Sequence, residues 1–124
     1  MIDFNNKTLF KLKQESAENG YKSVANQLIH NEDVVASFVS MRDRVVFTNK
    51  RIISINVQGL TGTKVDYTSI PYSKIQLFSI ETAGTIDIDS ELDIWLSGMG
   101  KVRFELSGNT DIIKLSQMIS EFVL

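Results

Sequence analysis

Between residues 33 and 81, apolar and polar positions alternate in short runs, and a tight polar or glycine-containing turn breaks each run from the next. Residues 34–41, 44–48, 51–57, 63–70 and 74–82 are rich in Val, Ile, Phe, Thr and Tyr, which predicts five consecutive strands of a β-meander. The period of two assigns inward faces: Val34, Ala36 and Phe38, then Val45 and Phe47, then Ile53, Ile55 and Val57, then Val65 and Tyr67. Arg42-Asp43 and Asn49-Lys50 are the expected turns, and Pro71, the only proline, falls between strands, where its missing N–H breaks no ladder. Ile75, Leu77, Phe78 and Ile80 make a strand apolar on both sides. One side is expected to face the core, the other the N-terminal region or a partner. Leu92, Ile94 and Leu96, then Val102, Phe104 and Leu106 beyond Gly98-Met99-Gly100, bring the total to about seven strands.

The pattern changes at both ends. Leu9, Leu12, Val24, Leu28 and Ile29 are spaced in threes and fours among polar residues, which predicts a helical extension over residues 1–32, broken at Asn19-Gly20, with a second helix over residues 21–29. Residues 33–124 then form the main domain. Ile112, Leu115, Ile119 and Phe122 mark a closing amphipathic helix behind Asn109 and Thr110 as caps, with Asp111 in its first turn.

At 124 residues the chain is one domain, long enough to bury a core without disulfides or metal. It contains no cysteine, which removes thiolate nucleophiles, iron–sulfur clusters and zinc ribbons. No apolar run reaches the roughly 18 residues of a membrane span, and residues 1–14 do not resemble a signal peptide, so a cytoplasmic location is expected. The net charge of −2 supplies no global attraction to nucleic acid or anionic lipid. Lys7, Lys11 and Lys13 lie near Phe4, Leu9, Phe10 and Leu12, but Glu15 and Glu18 interrupt this basic face and argue against a membrane-surface helix.

Five features are candidates for chemistry or contact. Arg42, Arg44, Lys50 and Arg51 are the candidate anion contacts, although the two pairs sit at opposite ends of one strand, Asp43 intervenes, and a turn or ion-pair role for Arg42 and Asp43 is the favoured alternative. Asp87, Asp89, Glu91 and Asp93 alternate, so an extended chain places four carboxylates on one face. Arg or Lys partners are expected there in preference to a cation. His30, the single histidine, has no orienting partner in view for base chemistry. Gly59 to Lys64 lacks the spacing of a phosphate loop and precedes a strand instead of a helix. Trp95 stands between the inward-facing Ile94 and Leu96 and therefore points outward, where it is covered either by the N-terminal region or by a neighbouring molecule. No catalytic, cofactor or metal set is identified.

About seven antiparallel strands followed by one helix is the order of elements in the pleckstrin-homology superfold. Arg42-Asp43, Phe47-Thr48-Asn49-Lys50-Arg51, Gln58-Gly59-Leu60-Thr61-Gly62, Ser69-Ile70-Pro71-Tyr72, Ser79-Ile80-Glu81-Thr82-Ala83-Gly84 and Asp89-Ser90-Glu91-Leu92 resemble the bacterial pleckstrin-homology domain family in order and spacing. The resemblance implies a PH-like barrel capped by a C-terminal helix, no enzymatic activity, and barrels that assemble side by side into rings. The expected function is therefore a non-enzymatic interaction or scaffold module forming a cyclic homo-oligomer, with Trp95, Leu77 and Phe78 as the candidate contact. The alternative is an anionic lipid-headgroup or anion-binding domain. No nucleic-acid partner is expected.

Overall fold

The computed structural model describes residues 8–58 and 64–124. Phe4 and Lys7 of the basic face, and Gly59 to Gly62 of the first long loop, lie outside the described residues. Seven strands follow the meander pattern closely: β2 (Val34–Val39), β3 (Asp43–Thr48), β4 (Arg51–Gln58), β5 (Lys64–Pro71), β6 (Ile75–Glu81), β7 (Ser90–Leu96) and β8 (Gly100–Leu106). They are preceded by β1 (Thr8–Glu15) and α1 (Ala17–Val24) and closed by α2 (Ile112–Val123). The strand order is β5-β4-β3-β2-β1-β8-β7-β6, an eight-stranded sheet that wraps around its core but ends at β5 and β6 without closing.

The extra strand corrects the helical expectation for residues 8–15. β1 runs antiparallel to β2, with Glu15 opposite Ser37, and parallel to β8, with Thr8 opposite Arg103. Its partners on β8 shift from Leu9↔Phe104 to Leu12↔Leu106, three residues against two, and Lys11 sits in this irregularity at φ +57°. A β-bulge thus inserts one residue and converts the strand period of two into a spacing of three, which imitates a helix turn.

Asn19-Gly20 is not a break either. α1 runs through it, capped by Ser16, whose side chain accepts the Asn19 N–H at 3.1 Å. Gly20 is buried, and a Cβ built there would stand 2.5 Å from the Cβ of Ser37, so glycine lets the helix lie directly on β2. Of the predicted helix over residues 21–29 only residues 21–24 are helical, as the last turn of α1, and turns follow, with Asn31 at φ +58°.

Two apolar layers result. The larger core holds Leu12, Phe38, Val45, Phe47, Ile52, Ile94, Phe104 and the α2 residues Leu115 and Ile119, with Phe38 and Phe104 each edge-on to Phe47 at 5.7 and 6.5 Å. The smaller holds Val24, Val46, Ile53 and Ile55, with Leu28, Val34 and Tyr67 against it. The inward assignment of β4 is therefore reversed: Ile52 points to the main core, whereas Ile53 and Ile55 face the layer under Val24. Strand β4 is buried on both faces, with Ile52 and Ser54 on one and Ile53 and Ile55 on the other, and its more apolar set is the one turned away from the main core. A register shift between Val34 and Ala36 likewise sends Val34 to the second layer, and Val65 is exposed. The inward faces of β3, β7 and β8 are as expected. α2 is capped by Asp111, which accepts the Lys114 N–H at 3.1 Å, in place of Asn109 or Thr110.

Candidate functional site

α1 packs on β2 and β3, leaving the outer face of β6, β7 and β8 without a helix among the described residues. Cross-strand register arranges this face in three rows. Leu77, Trp95 and Lys101 form the first, Ser79, Asp93 and Arg103 the second, and Glu81, Glu91 and Glu105 the third. In the first row the Lys101 ammonium stands 5.9 Å from the Trp95 ring centroid and Leu77 is 57% exposed. Phe78, the third expected contact residue, points the other way and packs against the main core.

The second and third rows are electrostatically coupled. Arg103 donates from Nε and Nη2 to the two Asp93 oxygens at 2.8 and 3.0 Å, and its Nη1 lies 3.3 Å from Glu91. Hydrogen bonding to Asp93, followed by the charges of Asp93, Glu91 and Glu81, holds the Arg103 guanidinium more firmly protonated than usual against its partial burial. Glu91 moves up from the ordinary glutamate range: burial comes first, and the charges of Glu81, Asp93 and Glu105 add to it against the attraction of Arg103. Of the alternating acidic run, Asp89 pairs with Lys11 at 3.7 Å and Asp87 accepts the Asp89 N–H. Among the described residues, no group of three or more His, Cys, Asp or Glu is placed to hold a metal ion.

The expected anion contacts do not converge. Arg44 donates from Nε and Nη2 to Glu15 at 2.7 and 3.3 Å, and Glu15 also accepts the Ser37 hydroxyl at 2.6 Å, which ties β1, β2 and β3 together. Arg51 donates to both Glu32 oxygens at 2.9 Å, to the Gln27 carbonyl at 2.7 Å and to Ser69. The Glu32 side chain is fully buried and accepts in addition from Thr48 Oγ1 at 2.6 Å and the Ile29 N–H at 3.1 Å. Burial pushes the Glu32 carboxyl up, but the Arg51, Thr48 and Ile29 donors outweigh it and hold it below the ordinary range. Arg42 donates to the Val57 carbonyl at 3.3 Å, and Lys50 is exposed at the β3–β4 turn. Strand β3 separates the two pairs by roughly 17 Å, at about 3.3 Å per residue. His30 lies in an exposed turn.

Sequence inspection did not find Glu15 and Glu32, because each meets its arginine across the fold, 29 and 19 residues away. It anticipated basic partners for Glu91 and Asp93 but not their identity, which the β7–β8 register supplies.

A wrapped sheet, antiparallel except where β1 meets β8, plugged by a C-terminal helix defines a pleckstrin-homology-fold domain. The chain belongs to the bacterial PH domain family, whose model matches residues 3–123. It is similar to a DUF1696-family protein with a pleckstrin-homology domain from Shewanella loihica, at 37% identity and TM-score 0.80, over 94% of this chain and 100% of that one. A pleckstrin-homology domain from Shewanella amazonensis is 39% identical with TM-score 0.68, over 89% of this chain and 90% of that one. The Bacillus subtilis protein YjqA is 51% identical over 77 residues, a stretch spanning 62% of this chain and 62% of YjqA. Among the described residues no helix is long and apolar enough to cross a membrane.

Proposed function

We propose that this domain is a non-enzymatic cytoplasmic interaction module that self-assembles into a cyclic homo-oligomer through the outer face of β6 and β7. The observation that carries the proposal is the Leu77–Trp95 pair, on the terminal strand β6 and its neighbour β7, on a sheet face that no helix of the described residues covers. A large aromatic beside an exposed leucine marks a contact more often than a solvated surface, and terminal strands are natural places for chains to meet. A heterologous contact between identical subunits closes into a ring when its rotation permits. Multi-angle light scattering at micromolar concentration tests the proposal: a mass above the 14.0 kDa of one chain is expected, and a strictly monomeric mass refutes it.

The alternative is an anion-binding or lipid-headgroup domain using Arg42, Arg44, Lys50 and Arg51, of which Arg44 and Arg51 already hold largely buried carboxylates. Flotation with anionic liposomes at low ionic strength separates the two readings. Salt-sensitive binding lost in Arg42→Ala favours the alternative, and no binding removes it.

A further inference from the structure

At the other end of the sheet, β5 pairs with β4 along its whole length, and no strand of the described residues lies on its opposite side. A row of backbone donors and acceptors therefore faces outward from β5. Directly alongside, between the C-terminal half of β5 and the end of β7, lies a cleft of about 290 Å³. Its wall is largely apolar, formed by Ile70 and Pro71 on one side and Leu96 and Met99 on the other, and among the described residues Lys74 is the one charged side chain lining it. Met99 is 52% exposed at the β7–β8 turn, so the cleft opens to the surface.

These features ask for different parts of one ligand. An unpaired strand edge recognises an extended backbone, an apolar cleft beside it takes the side chain of every second residue, and a cation at its rim favours a carboxylate. We propose that the open edge of β5 and this cleft form a docking site for an extended peptide segment of another protein. The segment adds to the sheet as a strand next to β5, seats one aliphatic or aromatic side chain between Ile70 and Met99, and presents a carboxylate to Lys74. The site is separate from the self-association surface: Leu77 and Trp95 lie on the outer face of β6 and β7, whereas Leu96 packs on the inner side. The carboxylate comes either from an acidic side chain or from a C-terminus.

The test uses the ¹⁵N-labelled full chain and pools of N-acetylated pentapeptides. Each pool holds an aliphatic or aromatic residue at the third position and either aspartate at the fourth or a free C-terminus, with amidated pools as controls. Saturable amide shifts confined to Thr68, Ser69, Ile70, Ser97 and Met99 are expected. N-methylation of alternate peptide amides should weaken binding at least ten-fold, because it removes the strand donors. Lys74→Glu should weaken the carboxylate-bearing pools several-fold and leave neutral pools unchanged, and Met99→Asp should reduce both. Aspartate and free-terminus pools that differ identify the source of the carboxylate. The proposal is overturned by absence of binding up to millimolar peptide, by equal binding of N-methylated peptides, by shifts centred on Leu77 and Trp95, or by protection of the β5 edge that appears only on self-association.

Discussion

Replacing Glu32 by glutamine tests what anchors the segment after α1 to the sheet. The carboxylate gathers Arg51 twice, Thr48 and the Ile29 N–H from three separate parts of the chain. Glutamine keeps the shape, but in either orientation its NH₂ meets an Arg51 donor, together with the Ile29 N–H or with Thr48 Oγ1, and the guanidinium is left without its anion. Removing one member of a buried pair costs about 3–5 kcal/mol, and since the Arg51 side chain retains 20% exposure, the low end, about 3 kcal/mol, applies. For a domain of this size that lowers Tm by about 10 °C. Urea denaturation at pH 7 measures the difference directly. The pH dependence gives a second arm. The folded carboxyl titrates below its unfolded value of about 4.3, so the native state binds fewer protons in that interval. The stabilisation is present above the unfolded value and lost as pH falls through the folded one, so wild type and Glu32→Gln should converge on acidification below about pH 4. A difference under about 0.5 kcal/mol at pH 7, or one that persists unchanged at pH 3, refutes the reasoning.

Three other outcomes are expected. Gly20→Ala gains about 1 kcal/mol of helix propensity but drives a methyl group onto Ser37 and should destabilise by about 1–3 kcal/mol net, with near-UV circular dichroism reporting displacement of α1; a stabilised variant contradicts the close approach. Trp95→Ala should lower the oligomer mass in light scattering while far-UV circular dichroism of the sheet persists, and an unchanged mass with a lowered Tm would assign Trp95 to monomer stability alone. Tyr72→Phe removes a buried hydroxyl that donates to the Thr48 carbonyl at 2.7 Å and should cost about 1 kcal/mol in urea denaturation. Burial, assisted by the Glu32 charge, raises the Tyr72 pKa, so its contribution is full below the unfolded value of about 10 and declines above it; wild type and Tyr72→Phe should therefore converge in strong alkali.

How much of this was legible in the sequence depended on whether the relevant signal was local. Strands β2 to β8 and α2 announce themselves because each is a short periodic run with a turn or cap at its edge. Residues 8–15 misled because the bulge at Lys11 removes the strand period, and Gly20 misled because a helix breaker and a close-packing glycine are the same letter. The inward face of β4 is misassigned by alternation because its more apolar set, with Ile53 and Ile55, serves the second apolar layer. On the candidate surface, the outward direction of Trp95 is readable from alternation, but Leu77 and Phe78 are not told apart: with consecutive apolar residues, only the pairing of Phe78 with Ile94 fixes which one turns inward. The fates of Arg44 and Arg51 required knowledge of which distant carboxylates the fold brings up.

The position of β1 sets a clock for the nascent chain. It leaves the ribosome before any other described strand, yet half of its ladder is shared with β8, the last of the described strands. At a synthesis rate of ~5–20 residues per second, roughly 5–20 s separate the translation of Thr8 from that of Arg103. Through that interval the hairpins from β2 to β5 can zip locally, while the parallel half of β1 waits with its backbone unpaired. The sheet is completed only when its first and last described strands are joined, so a chain stalled or truncated before β8 would carry an adhesive strand at β1 rather than a shortened but finished domain.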